Sequence, residues 1–149
     1  WPDDAMATTG THDLAPLAGW LQSRDIDWSH RLQLLDAAAE LHWRHDRQKE
    51  CDGLRRLLES NYGSLPGDDE LIDAAIRFVG HTRAPLVLIP LEDLLGSDEQ
   101  PNLPGTTEGH PNWRRRFTKP VTELLDDEDA ARRLELLAQA REQAWERDR

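Results

Sequence analysis

The run APLVLIPL, residues 84–91, constrains the fold of this chain more than any other stretch. It is apolar from end to end, interrupted only by its prolines, and too short to cross a bilayer. A continuous apolar run of this length fits a strand covered on both faces, as in a parallel sheet. A second short strand is expected in the MATT stretch that precedes His12. Each strand leads into a loop and then into helical periodicity. After the first, helices are expected over Ala15–Gln22, with Pro16 in the first turn, and over about 29–59. Leu32, Leu35, Ala39, Leu41 and Trp43 roughly follow a helical period there. Whether that helix breaks at Cys51–Gly53 or runs on through LRRLLES is left open. Asn61 and Gly63 stop it, and the SLPGDD turn leads into another helix over 70–81, with Leu71, Ala74, Ala75, Phe78 and Val79 on its apolar side. After the second strand, LEDLLG reads as a short helical turn closed by Gly96. A long polar loop occupies 97–112, and a last helix over 128–147 carries Leu134, Leu136, Leu137 and Trp145. Two β-loop-α units in this order predict an α/β fold with a parallel sheet, rich in helix. Two parallel strands alone make no stable sheet, so further strands are expected from other polypeptide.

In such folds the chemistry sits in loops at the carboxyl ends of the strands. His12–Asp13 and the 97–112 loop both occupy that position. Asp13 next to a helix start has an ordinary explanation, the helix cap. The alternative is a carboxylate and an imidazole aimed together at a polyhydroxylated ligand, the carboxylate also stabilising an oxocarbenium-like centre. Glu92 and Asp93 fit either an acid–base pair or, better, charges that stabilise the positive end of the short helix. His42 and His45 stand three apart in HWRHDRQKE, which reads as a solvated face of pairing charges rather than a metal site, since no Cys or His set completes it. His110 has no nameable partner, and NWRRRF, 112–117, reads as a salt-bridged surface.

The chain has 149 residues, which favours one domain, 1–149. Its net charge of −11 opposes non-specific nucleic-acid binding, which depends on basic surface. A lone cysteine, Cys51, forms no internal disulfide, and no signal segment is visible, so cytoplasm is the expected location. No membrane partner is expected either. Six tryptophans stand against one tyrosine; packing is the ordinary role of each, sugar stacking the alternative. The chain opens at Trp1 with Met6 its single methionine, from which processing or truncation upstream is expected.

TGTHDLAPLAGW, then LIPLEDLLG, PNLPGT and HPNWRRR, in this order and spacing, resemble the 4-α-glucanotransferases of glycoside hydrolase family 77, also called amylomaltases or disproportionating enzymes. The similarity runs from about Ala7 to the last helix. It implies that the chain is the C-terminal part of a (β/α)8 TIM barrel, about two βα units of it. It also implies retaining transfer of α-1,4-glucan segments between maltooligosaccharides, without cofactor or metal. By the resemblance Asp13 is the carboxylate that stabilises the transition state and His12 the neighbour that holds the same sugar. Asn102 lines the substrate groove, and Gly105 permits the tight turn beside it. No segment matches the family's nucleophile or acid–base motifs, so the chain alone is expected to be inactive and to partner the remainder of its own enzyme.

The alternative is a free-standing, helix-rich glucan- or protein-binding module without catalysis, centred on the acidic stretch from Asp27 to Arg83. The two strand-like runs speak against it. An unpaired edge at Leu86–Leu91 makes self-association of the chain an expectation.

Overall fold

Strand β1, Met6–Thr8, pairs in parallel with strand β2, Leu86–Leu88, with Met6 opposite Leu86, Ala7 opposite Val87 and Thr8 opposite Leu88. The computed structural model describes residues 4–146, so Arg147 of the expected last helix and Trp1 lie outside the described residues. Among the described residues the sheet has these two strands alone. Side chains alternate across a strand, and Ala7 is buried on one face. Met6, Leu86 and Leu88 are 49%, 51% and 48% exposed. The expectation of a strand covered on both faces is therefore corrected for this chain. The helices cover one face, and nothing among the described residues covers the other.

Helices α1, Leu17–Leu21, and α2, Arg24–Arg31, follow β1. The single helix expected over 29–59 is corrected to two, because α2 ends before Leu32 and α3 runs from Ala37 to Tyr62. The break has two local causes. Gln33 takes a left-handed φ of 57°, and the Asp36 side chain accepts the Ala39 amide at 2.8 Å as an N-cap. Helix α3 passes through Cys51–Gly53 without interruption and ends at Gly63, whose φ is 86°. Leu41 and Trp43, which follow the apolar helical period, are exposed on it. Its contacts to α2 are ionic instead. Arg44 bonds Glu40 and Asp27, while Arg47 forks onto Asp25 and donates to the Trp20 carbonyl.

Helix α4, Asp68–Gly80, is the centre of the packing, with three acidic residues in its first turn complementing the helix dipole. One side, with Ile72 and Ile76, meets Ala18, Leu94 and Ala130. The other, with Leu71, Ala74 and Ala75, meets Leu58 and Leu65. The last two helices are α5, Leu91–Leu94, and α6, Glu128–Glu146, which lies against α4. Gly80 permits that approach: a Cβ there would come within 2.8 Å of the Ala140 Cβ. Arg133 of α6 is wholly buried and fully engaged. It donates to Asp69 and Asp73 of α4, each at 3.0 Å, and to the carbonyls of Asp93 at 3.3 Å and Leu94 at 3.0 Å. A buried guanidinium is tolerated only with such partners, and this one fixes α5 at the carboxyl end of β2. Between α5 and α6 the chain makes no regular structure beyond a 3₁₀ turn at Val121–Glu123.

Candidate functional site

Parallel pairing of β1 and β2 brings the loops that follow them to the same end of the sheet, and their side chains meet there. Asp93 is the first link. Its Oδ2 accepts the Thr9 hydroxyl at 2.5 Å and its Oδ1 accepts the Leu17 amide at 2.7 Å. One carboxylate thus holds both ends of the loop 10–16. Asp93 stands in the first turn of α5, the position expected of it, and in addition caps α1 from across the fold. This removes capping as the role of Asp13, since α1 starts after Pro16 and has no cap from its own flank. Burial pushes the Asp93 carboxyl above its ordinary range, and the Thr9 and Leu17 hydrogen bonds only partly oppose it.

Inside that clamp, the Leu14 amide donates to the Thr11 carbonyl at 3.0 Å, a tight turn that presents His12 and Asp13 at its tip. The His12 Nε2 lies 3.3 Å from Asp13 Oδ2, and both side chains are more than half exposed. The Asn102 Nδ2 donates to Asp13 Oδ1 at 2.7 Å. The three residues singled out in the sequence therefore form one cluster, although Asn102 is 89 positions from Asp13.

Asn102 is held in turn by the loop on either side of it. The Gln100 side-chain amide donates to the Asn102 carbonyl at 2.5 Å. Asn112 is the hub: its Oδ1 accepts the Leu103 amide at 2.9 Å, and its Nδ2 donates to the Thr106 carbonyl at 2.9 Å and hydroxyl at 2.8 Å. His110, without a nameable partner in the sequence, is buried and 2.5 Å from the same Oδ1. An amide oxygen only accepts, so His110 Nδ1 carries the proton. Gly105, at φ 79°, makes the tight turn expected of it. Gly19 lets the loop lie close over α1, since a Cβ there would stand 2.2 Å from the Asp98 carbonyl oxygen.

Beside the loop, Glu99 gathers the Trp28 indole N–H at 2.8 Å, Arg24, and Arg115 at 2.7 Å. Burial alone would raise this carboxyl, but the Trp28 and Arg24 hydrogen bonds and the two cations together hold it below its ordinary range. Arg115 thus bears out the salt-bridged reading of 112–117. His42, by contrast, pairs with Asp46 at 3.3 Å, far along α3.

Trp113 was not singled out by the sequence as a site residue. Its ring centroid is 5.4 Å from that of His12, and it borders two clefts of about 240 and 550 Å³. A further cleft, about 630 Å³, lies between α1, α3 and α4. It is apolar and includes none of His12, Asp13 and Asn102. Of the two clefts that Trp113 borders, the one of about 240 Å³ also includes His12 and is the better place for a polyhydroxylated ligand. A carboxylate with one oxygen anchored by an amide and the other beside an imidazole can accept hydrogen bonds from hydroxyls and stabilise nearby positive charge.

A family model described as 4-alpha-glucanotransferase matches residues 1–122. The 4-alpha-glucanotransferase of Mycobacterium tuberculosis strain H37Rv is 34% identical over 145 residues, covering 94% of this chain and 20% of that protein. That of Haemophilus influenzae is 26% identical over 140 residues, covering 86% and 20% respectively. The chain therefore spans about a fifth of the length of the curated relatives it matches. Among solved structures, amylomaltase from Corynebacterium glutamicum superposes with a TM-score of 0.71 at 28% identity, covering 95% of this chain and 22% of that one.

Proposed function

The chain belongs to glycoside hydrolase family 77, the 4-alpha-glucanotransferases, and from that premise we propose that it forms one rim of the sugar site of such an enzyme. The substrates are maltooligosaccharides and related α-1,4-glucans. Residues 1–149 are the C-terminal segment of a (β/α)8 barrel, β1 and β2 being neighbouring staves. Met6, Leu86 and Leu88 then face the barrel interior. Asp13 is the transition-state stabiliser, His12 holds the same sugar, and Asn102 both fixes Asp13 and lines the groove. As the glycosidic bond lengthens, positive charge develops at the anomeric centre and the sugar hydroxyls become better donors. Hydrogen bonds to Asp13 therefore strengthen at the top of the barrier. Retention further requires a nucleophile and an acid–base about 5–5.5 Å apart, supplied by the remainder of the enzyme.

The observation that carries this reading is the 2.7 Å contact of Asn102 with Asp13. It joins the loops after the two strands at the point where the fold family places its chemistry. A free-standing binding module has no need of that convergence.

The test uses maltotriose and the full-length protein that contains this segment. Wild type is expected to release glucose and build longer oligosaccharides, and the 149-residue chain alone is expected to leave maltotriose unchanged. In full-length protein, Asp13→Asn is expected to lower kcat by about 10²-fold or more with KM little changed, the pattern of an interaction made chiefly in the transition state. Unchanged turnover with only a raised KM would show Asp13 to be a binding residue instead.

A further inference from the structure

We propose that Trp113 is a stacking platform for a glucopyranose ring bound next to Asp13, extending the sugar site along the wall beside His12. The inference rests on the transferase reading above and adds a contact to the same site. Trp113 has a φ of 58°. A bulky L-residue seldom adopts this left-handed conformation, and such strain persists only where the surroundings impose it. Here they do. The Trp113 amide donates to the Pro101 carbonyl at 2.9 Å, and the preceding residue is the loop's hub, Asn112.

The strain has no packing gain to explain it, because the Trp113 residue is 65% exposed. Two other tryptophans, Trp20 and Trp28, are capped. Arg47 lies 5.0 Å over Trp20, and Arg31 lies 4.7 Å over Trp28, whose opposite partners include His110 and Glu99. Trp113 instead meets His12, tilted at 44°, at the junction of the two clefts. The smaller cleft adds Gly10 and Thr11 to the wall, and the larger adds Arg115 and Phe117.

A pyranose has a C–H face and a rim of hydroxyls. The face needs a flat apolar surface, which an exposed indole supplies. The rim needs acceptors and donors at its edge, which His12 (beside Asp13) and Glu92 supply in the smaller cleft and Glu92 and Arg115 in the larger. The ligand class this selects is a chain of glucose units. One ring reaches the carboxylate while its neighbour lies on the indole.

The experiment measures initial rates on maltotriose, and thermal midpoints, for full-length wild type and three variants. Trp113→Ala is expected to raise KM about tenfold or more while kcat falls by no more than about threefold, the loss of one aromatic anchor that binds ground and transition states alike. Trp113→Phe, which keeps a flat ring, is expected to stay within about threefold of wild type in KM. Trp113→Gly is expected to show the KM of the alanine variant with an unchanged or higher thermal midpoint, because glycine accepts the φ without strain. Wild-type activity with a Trp113→Ala KM within about twofold of wild type overturns the platform and leaves the transferase reading standing. So does a lower midpoint in Trp113→Gly without a change in KM, which would make Trp113 a packing residue. A wild-type protein that leaves maltotriose unchanged overturns the transferase reading, and this subsite with it.

Discussion

Replacing Asp93 by alanine should loosen the loop that carries His12 and Asp13, though Asp93 itself belongs to neither. The substitution removes the acceptors of the Thr9 hydroxyl and the Leu17 amide. Hydrogen bonds to a charged group contribute about 1.5–3 kcal/mol each, so the gross loss is about 3–6 kcal/mol. Part of this returns because the variant no longer desolvates a carboxylate, a penalty visible in the upward push that burial gives Asp93. A net cost of about 2 kcal/mol remains, which is about 30-fold in a local opening equilibrium. Hydrogen exchange of the full-length protein, followed in a peptide covering 14–20, reads this directly at the Leu17 amide. Asp93→Asn keeps an acceptor for Leu17 and should exchange within about threefold of wild type. The charge also sets a pH dependence. A carboxyl whose folded pKa is raised binds its proton more tightly in the native state. The stability it contributes is therefore present at low pH and lost as pH rises from the unfolded value, about 3.9, through the raised folded one. Asp93→Asn abolishes that slope. An unchanged Leu17 amide in Asp93→Ala would refute the clamp.

Glu99 should behave in the opposite sense. Its carboxyl is held low by Trp28, Arg24 and Arg115, so its contribution is complete above the unfolded value of about 4.3 and lost as pH falls through the depressed folded one. In denaturation curves the advantage of wild type over Glu99→Gln should shrink toward about pH 3; an advantage that grows on acidification would contradict this. Gly80→Val should lower the thermal midpoint, because even its first carbon would stand 2.8 Å from the Ala140 Cβ. Overpacking of this kind costs about 1–3 kcal/mol, and calorimetry showing no loss would place α4 and α6 farther apart than described here.

Features with a local cause were readable from the sequence. The apolar run gave the second strand, and the apolar spacing on α4 gave Leu71, Ala74 and Ala75 as buried, although Phe78 of the same pattern is exposed. His12, Asp13 and Asn102 came from the motifs, and the fold places them together. The break between α2 and α3 was signalled by Asp36 ahead of three alanines, an N-cap pattern obscured by the leucines around it. Other features had no local signal. Asp93 caps a helix 76 residues away, and short-range charge rules point it toward its own helix alone. Leu41 and Trp43 follow an apolar period, but the partner that would bury them is absent from the facing helix, which meets α3 through Arg44 and Arg47. The backbone of Trp113 is fixed by a hydrogen bond to Pro101 that no composition rule anticipates.

The pairing of Met6 with Leu86 has a consequence for the order in which the molecule assembles. Helices α3 and α4 are close in sequence and can form and dock early. The strands must close a loop of some eighty residues before their first ladder bond forms, and contacts of such separation come late in folding. The Asn102–Asp13 contact is longer still in sequence and depends on that pairing. Helical signal should therefore precede site formation during refolding, with a collapsed, helix-containing species in which Asp13 has no fixed orientation. During synthesis, β1 and the His12–Asp13 turn emerge well before β2 and Asn102, so the Asp13–Asn102 contact can form only once the later half of the chain has been made.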